Sequence, residues 1–284
     1  MQFSIRTFFL TCMAMIAFAG NSLLCRNALI HTSIDATSFT TIRLISGAMM
    51  LWLFSRVRSA EYVRSGNWLS SIALFIYAAG FSFAYVSMTA ATGALLLFGA
   101  VQVTMIGYGI WTGERLPRLQ LVGLVLALGG LIGLLLPGLS APPLYGSILM
   151  LMAGVAWGIY SLRGKDVGDP IRVTAGNFLR TVPITATFSL LMLHSISLDA
   201  AGFFYAFLSG ALTSGVGYAI WYATLPALKA THAATVQLSV PVLAAIGGVV
   251  LLSEPISARL VMASAAVIGG IALVLLQKKH TNYS

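Results

Sequence analysis

Residues 40–46 read TTIRLIS and residues 177–183 read NFLRTVP, each a lone arginine in an apolar or hydroxylic run. From Arg43 to Arg180 is a shift of 137 positions, and the same shift carries Arg26 to Arg163, Gly80 to Gly217 and Tyr85 to Tyr222. A shift of 140 then carries Glu114 to Glu254 and Gly129-Gly130 to Gly269-Gly270, with a three-residue insertion near LPALKATH absorbing the difference. Residues 1–140 and 141–284 therefore read as two copies of one unit. Arg and Glu are scarce in this chain. Their recurrence at matched positions argues against chance similarity between apolar segments.

The composition says what kind of unit is repeated. Hydrophobic residues make up 58% of the chain, charged residues only 8%, and the mean hydropathy is +0.93. A soluble core needs a larger charged shell, so the chain is expected to be an all-α polytopic membrane protein. Turn residues and charge clusters divide it into ten apolar spans: 8–30, 36–54, 68–87, 91–111, 119–136, 144–162, 173–193, 200–225, 233–252 and 258–276. The only break between the third and fourth is SMTAATG. Arg6, the following apolar run and Ala17-Phe18-Ala19 imitate a secretory signal. Cleavage is not expected, because the repeat needs this segment as a helix.

With the N-terminus in the cytoplasm, twelve basic residues fall on the cytoplasmic side: Arg6, Arg56, Arg58, Arg64, Arg115, Arg118, Arg163, Lys165, Arg172, Lys229, Lys278 and Lys279. Only Arg26 and Arg259 fall outside. This positive-inside bias puts both termini in the cytoplasm and requires an even number of spans. It also accounts for the net charge of +9 without nucleic acid. Five spans per copy is an odd number, so the copies, 1–140 and 141–284, are inverted relative to each other. Inverted repeats are a mark of secondary transporters, whose solute site lies near the midplane between the halves.

These features carry a family resemblance. An arginine ends each first span (AGNSLLCR at 19–26, AWGIYSLR at 156–163) and another lies inside each second span. The turns GER at 113–115 and SEP at 253–255 follow the fourth helices, and each precedes a Gly-Gly pair. In this order the chain resembles the drug/metabolite transporter superfamily, in particular its ten-span EamA-type members, and is similar to the YddG-like amino-acid exporters. The resemblance implies export of hydrophobic, aromatic or other neutral amino acids and related metabolites across a bacterial-type inner membrane by alternating access. One departure stands out: Trp157-Gly158 fits the family's first-span pattern, whereas the first copy has Ala19-Gly20-Asn21. The two sides of a central cavity are thus expected to differ.

Candidate solute contacts are the polar and aromatic residues within spans. They are Asn21; Tyr77, Phe81 and Tyr85, spaced four apart; Gln102; Trp157 and Tyr160; Tyr218, Trp221 and Tyr222; and Gln237. The aromatic stripes equally suit packing between helices or an interfacial belt. A neutral aromatic wall with amide handles favours small zwitterions with apolar side chains over highly charged solutes. Arg26, Arg43, Glu114, Arg163, Arg180 and Glu254 are expected to be structural, with solute contact the alternative for Arg43. Arg43, seven residues or about 10 Å from the outer end of its span, would snorkel to that face and meet helix-end carbonyls. Pro183 and Pro241 mark kinks that could serve as gate hinges. The spacings Gly109/Gly113, Gly129/Gly133 and Gly154/Gly158 suggest close helix packing.

Other classes find little support. All seven carboxylates and all four histidines lie at span ends or in loops. Proton coupling through a mid-membrane acid is therefore not expected, which points to facilitated export. The two cysteines, Cys12 and Cys25, share the first span and suggest packing, not a disulfide or a metal site. There is no phosphate-binding loop for ATP-driven pumping and no catalytic cluster, so neither enzyme activity nor a cofactor is expected. The partners expected are a small-molecule solute and the lipid bilayer, for a monomer or weak homodimer. A purine, a drug-like compound or a nucleotide sugar remains the alternative cargo.

Overall fold

The structure, a computed structural model, describes residues 5–58, 65–113, 117–138, 141–164, 169–224 and 236–277. The first five helices are α1 (Ile5–His31), α2 (Ala36–Arg58), α3 (Trp68–Tyr85), α4 (Ala90–Trp111) and α5 (Arg118–Leu135). There follow α6 (Leu144–Arg163), α7 (Pro170–Leu191), α8 (Ala200–Leu208), a π-helical segment π1 (Ser209–Val216) and α9 (Gly217–Thr224). The last two are α10 (Ser239–Leu252) and α11 (Ala258–Gln277). No strand occurs among the described residues. Among the described residues seven spans are long and apolar enough to cross a membrane, one of them Ala200–Tyr222, which runs through α8, π1 and into α9.

Local chemistry sets where the helices begin. Asn67 accepts from Ser70 N to cap α3, and Thr89 accepts from Thr92 N to cap α4, so the short SMTAATG break suffices to separate those two helices. Asp169 caps α7, with Pro170 in its first turn, and Asp199 caps α8. Pro183 lies inside α7, which remains one helix across it. Pro241 sits in the first turn of α10, where it cannot donate to Gln237 O, and the helical turn at 236–237 breaks at Leu238.

The helices pack in pairs drawn from both halves of the chain. α3 and α4 both lie on α6, while α1 packs on α10, α9, π1 and α8. α2 runs beside α7 and π1, and α5 pairs with α11. Close approach of α6 to α4 needs glycine: a Cβ on Gly154 would meet Leu97 O at 2.6 Å, and one on Gly158 would meet Thr104 Cβ at 2.9 Å. Three other glycines of the expected spacings make no such contact among the described residues. A methyl group added at Gly129, Gly133 or Gly113 would meet nothing within 4 Å, and Gly113 (φ +95°) serves a turn after α4. Gly129 and Gly133 face outward because α5 meets α11 through its opposite face, at Gly130 and Ala127.

Candidate functional site

Asn21 of α1, Tyr77 and Phe81 of α3, Trp157 of α6 and Tyr218 of α9 come from distant parts of the sequence to one central cavity. Phe18, Ser22, Leu97, Phe98 and Thr213 complete its lining. Its volume is ≈ 20 Å³, room for about one water molecule. The rings close over it. Trp157 lies 4.8 Å from Tyr77 and 5.1 Å from Tyr218 between centroids, and Phe18 meets Tyr218 edge-on at 5.8 Å. An organic solute can enter only if these rings separate.

One corner of the cavity is polar. Ser209 Oγ donates to Asn21 Oδ1 at 2.6 Å, and Thr213 Oγ1 approaches the same oxygen at 3.3 Å. Asn21 Nδ2 donates to Tyr77 Oη at 3.4 Å. Arg43 Nη2 donates to that same phenolic oxygen at 2.9 Å, and Arg43 Nε reaches Ser214 Oγ at 3.4 Å. The hydroxyls of Ser209, Thr213 and Ser214 all belong to π1. Wider winding of this kind re-aims side chains and recurs at functional sites. The signal for it in the sequence is SGALTSG, a run of glycines and hydroxyls inside an apolar span.

The position of Arg43 corrects the expectation of an outward-snorkelling anchor. Its side chain is only 2% exposed, and its guanidinium faces inward over two rings, with Cζ 5.1 Å from the Tyr77 centroid and 4.7 Å from that of Phe81. The reason is packing: α2 is covered by α7 on one flank and by α8 and π1 on another, so the inward route is the one with partners. An arginine within a span costs up to roughly 2.5–3.5 kcal/mol on insertion scales. One charge-assisted hydrogen bond, about 1.5–3 kcal/mol, and two ring contacts of about 1 kcal/mol each offset that cost. Among the described residues Nη1 nevertheless has no hydrogen-bond partner. The ion pairs among the described residues, Arg26–Glu254 and Arg172–Asp169, leave Arg43 without a carboxylate.

Arg180, the lone arginine of NFLRTVP, behaves differently. It is half-buried and donates through Nη1 to Ser65 O at 2.6 Å and Gly176 O at 2.8 Å, tying α7 to the segment before α3. Arg26, near the end of α1, and Arg163, in the last turn of α6, also bond to neighbouring helix ends. Arg26 donates to Tyr85 O at 2.9 Å, Val86 O at 3.1 Å and Glu254 Oε1 at 3.0 Å. Arg163 donates to Ser70 Oγ at 3.1 Å and Asn67 Oδ1 at 3.2 Å, at the opposite end of α3. Glu114 lies outside the described residues.

The remaining candidates take other places. Tyr160, stacked on Trp157 at 5.4 Å, and Tyr222 line a second, smaller cavity of ≈ 10 Å³ with Arg163, Thr174 and Asn177. Tyr85 packs edge-on against Phe81 at 4.7 Å and donates to Ala90 O, closing the α3–α4 turn. Trp221 packs on Phe18 at 5.9 Å. Gln102 is buried in α4, and Gln237 is half-buried ahead of α10; neither lines either of these cavities.

Comparison with known proteins identifies the fold's relatives. The EamA-like transporter family model matches residues 144–276. An uncharacterised protein of Pseudomonas aeruginosa is 58% identical over 272 residues, covering 95% of this chain and 94% of its own. The chain belongs to the EamA-like transporter family. More distant relatives include an uncharacterised transporter of Archaeoglobus fulgidus, 25% identical over 88% of this chain and 90% of its own. The uncharacterised transporter YoaV of Bacillus subtilis is 22% identical over 82% of this chain and 85% of its own. A crystal structure of a protein 17% identical superposes with a TM-score of 0.69 over 97% of this chain and 99% of that one, a likeness of fold. As a family member with seven apolar membrane-length helices, the protein is a multi-pass membrane transporter of small solutes.

Proposed function

We propose that this EamA-family protein is a secondary exporter of neutral, chiefly hydrophobic or aromatic, amino acids and related metabolites. It would work by alternating access in a bacterial inner membrane, through ten spans arranged as two inverted five-helix units. The observation that carries the proposal is the central cavity, walled by Tyr77, Phe81, Trp157 and Tyr218 and given hydrogen-bonding handles by Asn21 and Thr213. An aromatic wall suits an apolar side chain, and a small polar corner suits the charged groups of a zwitterion.

The helix pairings support the inverted units. α3 and α4 on α6 have their counterparts in α8–α9 and α10 on α1, while α2–α7 and α5–α11 are pairs that such symmetry maps onto themselves. The cavity lies where helices of both units meet, as expected for rocking of one unit against the other. Among the described residues no carboxylate lines it, which supports facilitated export without a buried proton-exchanging acid.

The test is solute counterflow in proteoliposomes, screened over the twenty amino acids with unlabelled competitors. Saturable exchange of large neutral amino acids is expected, unaffected by collapsing a proton gradient. Exchange of purines or nucleotide sugars in place of amino acids would assign the protein a different cargo.

A further inference from the structure

We infer that Arg43 is the anion-binding residue of the transport site, so that transported solutes carry a carboxylate attached to an apolar or aromatic body. The inference rests on the proposed transport function and goes beyond it by assigning one solute group to one side chain. Arg43 is buried without a counter-anion among the described residues, and its Nη1, which carries two of the five guanidinium donors, has no partner. The guanidinium lies against the rings of Tyr77 and Phe81, and both rings line the cavity.

Tyr77 strengthens the case. Its phenolic oxygen already accepts from Arg43 Nη2 and Asn21 Nδ2, so its own proton is left to donate, on a ring that lines the cavity. Arg43 Nη1 and the Tyr77 hydroxyl proton are thus two donors without an acceptor among the described residues, on side chains joined through Nη2, and two such donors suit the two oxygens of a carboxylate. Arg180 shows what a purely structural arginine looks like in this fold, with its Nη1 given to the backbone oxygens of Ser65 and Gly176. The two arginines occupy equivalent repeat positions but bond differently, and the cavity lies on the side of Arg43. In the closed state the rings hold Arg43 back. When they part to admit solute, the carboxylate meets the guanidinium as its hydrocarbon body replaces the ring contacts.

The experiment uses four probes that share a phenyl body: L-phenylalanine, 3-phenylpropionate, 2-phenylethylamine and 3-phenyl-1-propanol. Binding is followed by intrinsic tryptophan fluorescence of the purified full-length protein, and flux by counterflow in proteoliposomes. The two carboxylates are expected to bind and compete at least tenfold better than the amine and the alcohol. Arg43→Gln should abolish that preference, and Arg43→Lys should retain part of it. Flux with equal affinity for all four probes would overturn the inference and leave the transport proposal standing. Carboxylate-selective binding lost in Arg43→Gln, with no flux of any probe, would support the inference and reject transport of these solutes. Stabilisation by chloride alone, with no preference for carboxylates, would mark Nη1 as an inorganic-anion site and overturn the inference as well. Should Arg43→Gln fail to fold, the wild-type preference among the four probes still decides.

Discussion

Arg26 and Glu254 are 228 residues apart in sequence, yet Arg26 Nε donates to Glu254 Oε1 at 3.0 Å, with side chains only 15% and 9% exposed. The contact joins three elements. Arg26 also holds Tyr85 O and Val86 O, while Glu254 Oε2 accepts Ala90 N at 2.8 Å, closing the turn between α3 and α4 against the end of α10. Ser253, in a left-handed backbone conformation (φ 53°), turns the chain so that Glu254 meets α4.

From this closure follows a stability difference. Arg26→Gln strands a mostly buried carboxylate and frees two carbonyls, at a cost of about 2 kcal/mol. That corresponds to a fall of roughly 5 °C in Tm. Arg26→Lys should recover less than half of this, because a point charge cannot reach three acceptors in a fork. A thermal scan of the purified protein monitored by fluorescence measures both. A cysteine placed at Thr89, in a background lacking Cys12 and Cys25, should react faster with a thiol reagent in Arg26→Gln than in the parent.

Tyr77 and Tyr85 share a helix face but should respond differently to loss of the hydroxyl. Tyr77→Phe removes the acceptor of both Arg43 Nη2 and Asn21 Nδ2, leaving a second guanidinium nitrogen unmet at a site 2% exposed. The expected cost is about 1–3 kcal/mol. Tyr85→Phe loses a long bond to Ala90 O at 3.3 Å and a contact with the Ser22 hydroxyl, strands no charged group, and should cost about 1 kcal/mol. Equal destabilisation by the two variants, in the same thermal or denaturant series, would contradict the role given to Tyr77.

Why the sequence foretells some of this and not the rest can be stated residue by residue. Seven of the expected spans are legible because burial in lipid demands long apolar runs, and the caps at Asn67, Thr89, Asp169 and Asp199 are local chemistry. The aromatic wall is legible as residue types in spans, although Tyr85, Trp221, Gln102 and Gln237 show that a span position does not specify the facing neighbour. The orientation of Arg43 is not legible, because depth along a helix says nothing about direction around it. Its inward turn depends on cover from α7, α8 and π1, which are distant in sequence. The π-helical winding at 209–216 is a departure from 3.6-residue periodicity and leaves only the glycine and hydroxyl run as a sign.

Asp35 supplies a pH dependence. Burial tends to raise its pKa, but hydrogen bonds from the Ser38 hydroxyl and the backbone N–H groups of Ser197, Ser38 and Thr37 outweigh this and hold it below the ordinary 3.8. The folded-state value is depressed, so the contribution to stability is fully present above pH 3.8 and is lost as pH falls through the lower folded value. The bonds to Ser197 tie the α1–α2 turn to the segment leading into α8. Asp35→Asn should therefore lower Tm at pH 7, and its deficit relative to wild type should shrink as the pH is taken below about 4. A deficit that grows on acidification would contradict the assignment.

A pair of glycine substitutions tests the packing of π1 directly. A methyl group on Gly210 would collide with Ser46 Oγ and with the backbone oxygen of Arg43 itself. Both belong to α2, whose backbone cannot yield without moving Arg43 off Tyr77. Gly210→Ala is expected to push π1 away from α2, lowering both the folded yield and the Tm, with any surviving protein losing solute exchange. Gly129, exposed on α5 with nothing within 4 Å of the added methyl, is the control. There alanine gains helix propensity of up to about 1 kcal/mol and should leave fold and exchange intact or slightly stabilised. Size-exclusion profiles and thermal scans of the two variants side by side give the comparison. Indifference to Gly210→Ala would mean that π1 and α2 are not held in contact at this point, and the inward placement of Arg43 would lose its structural support.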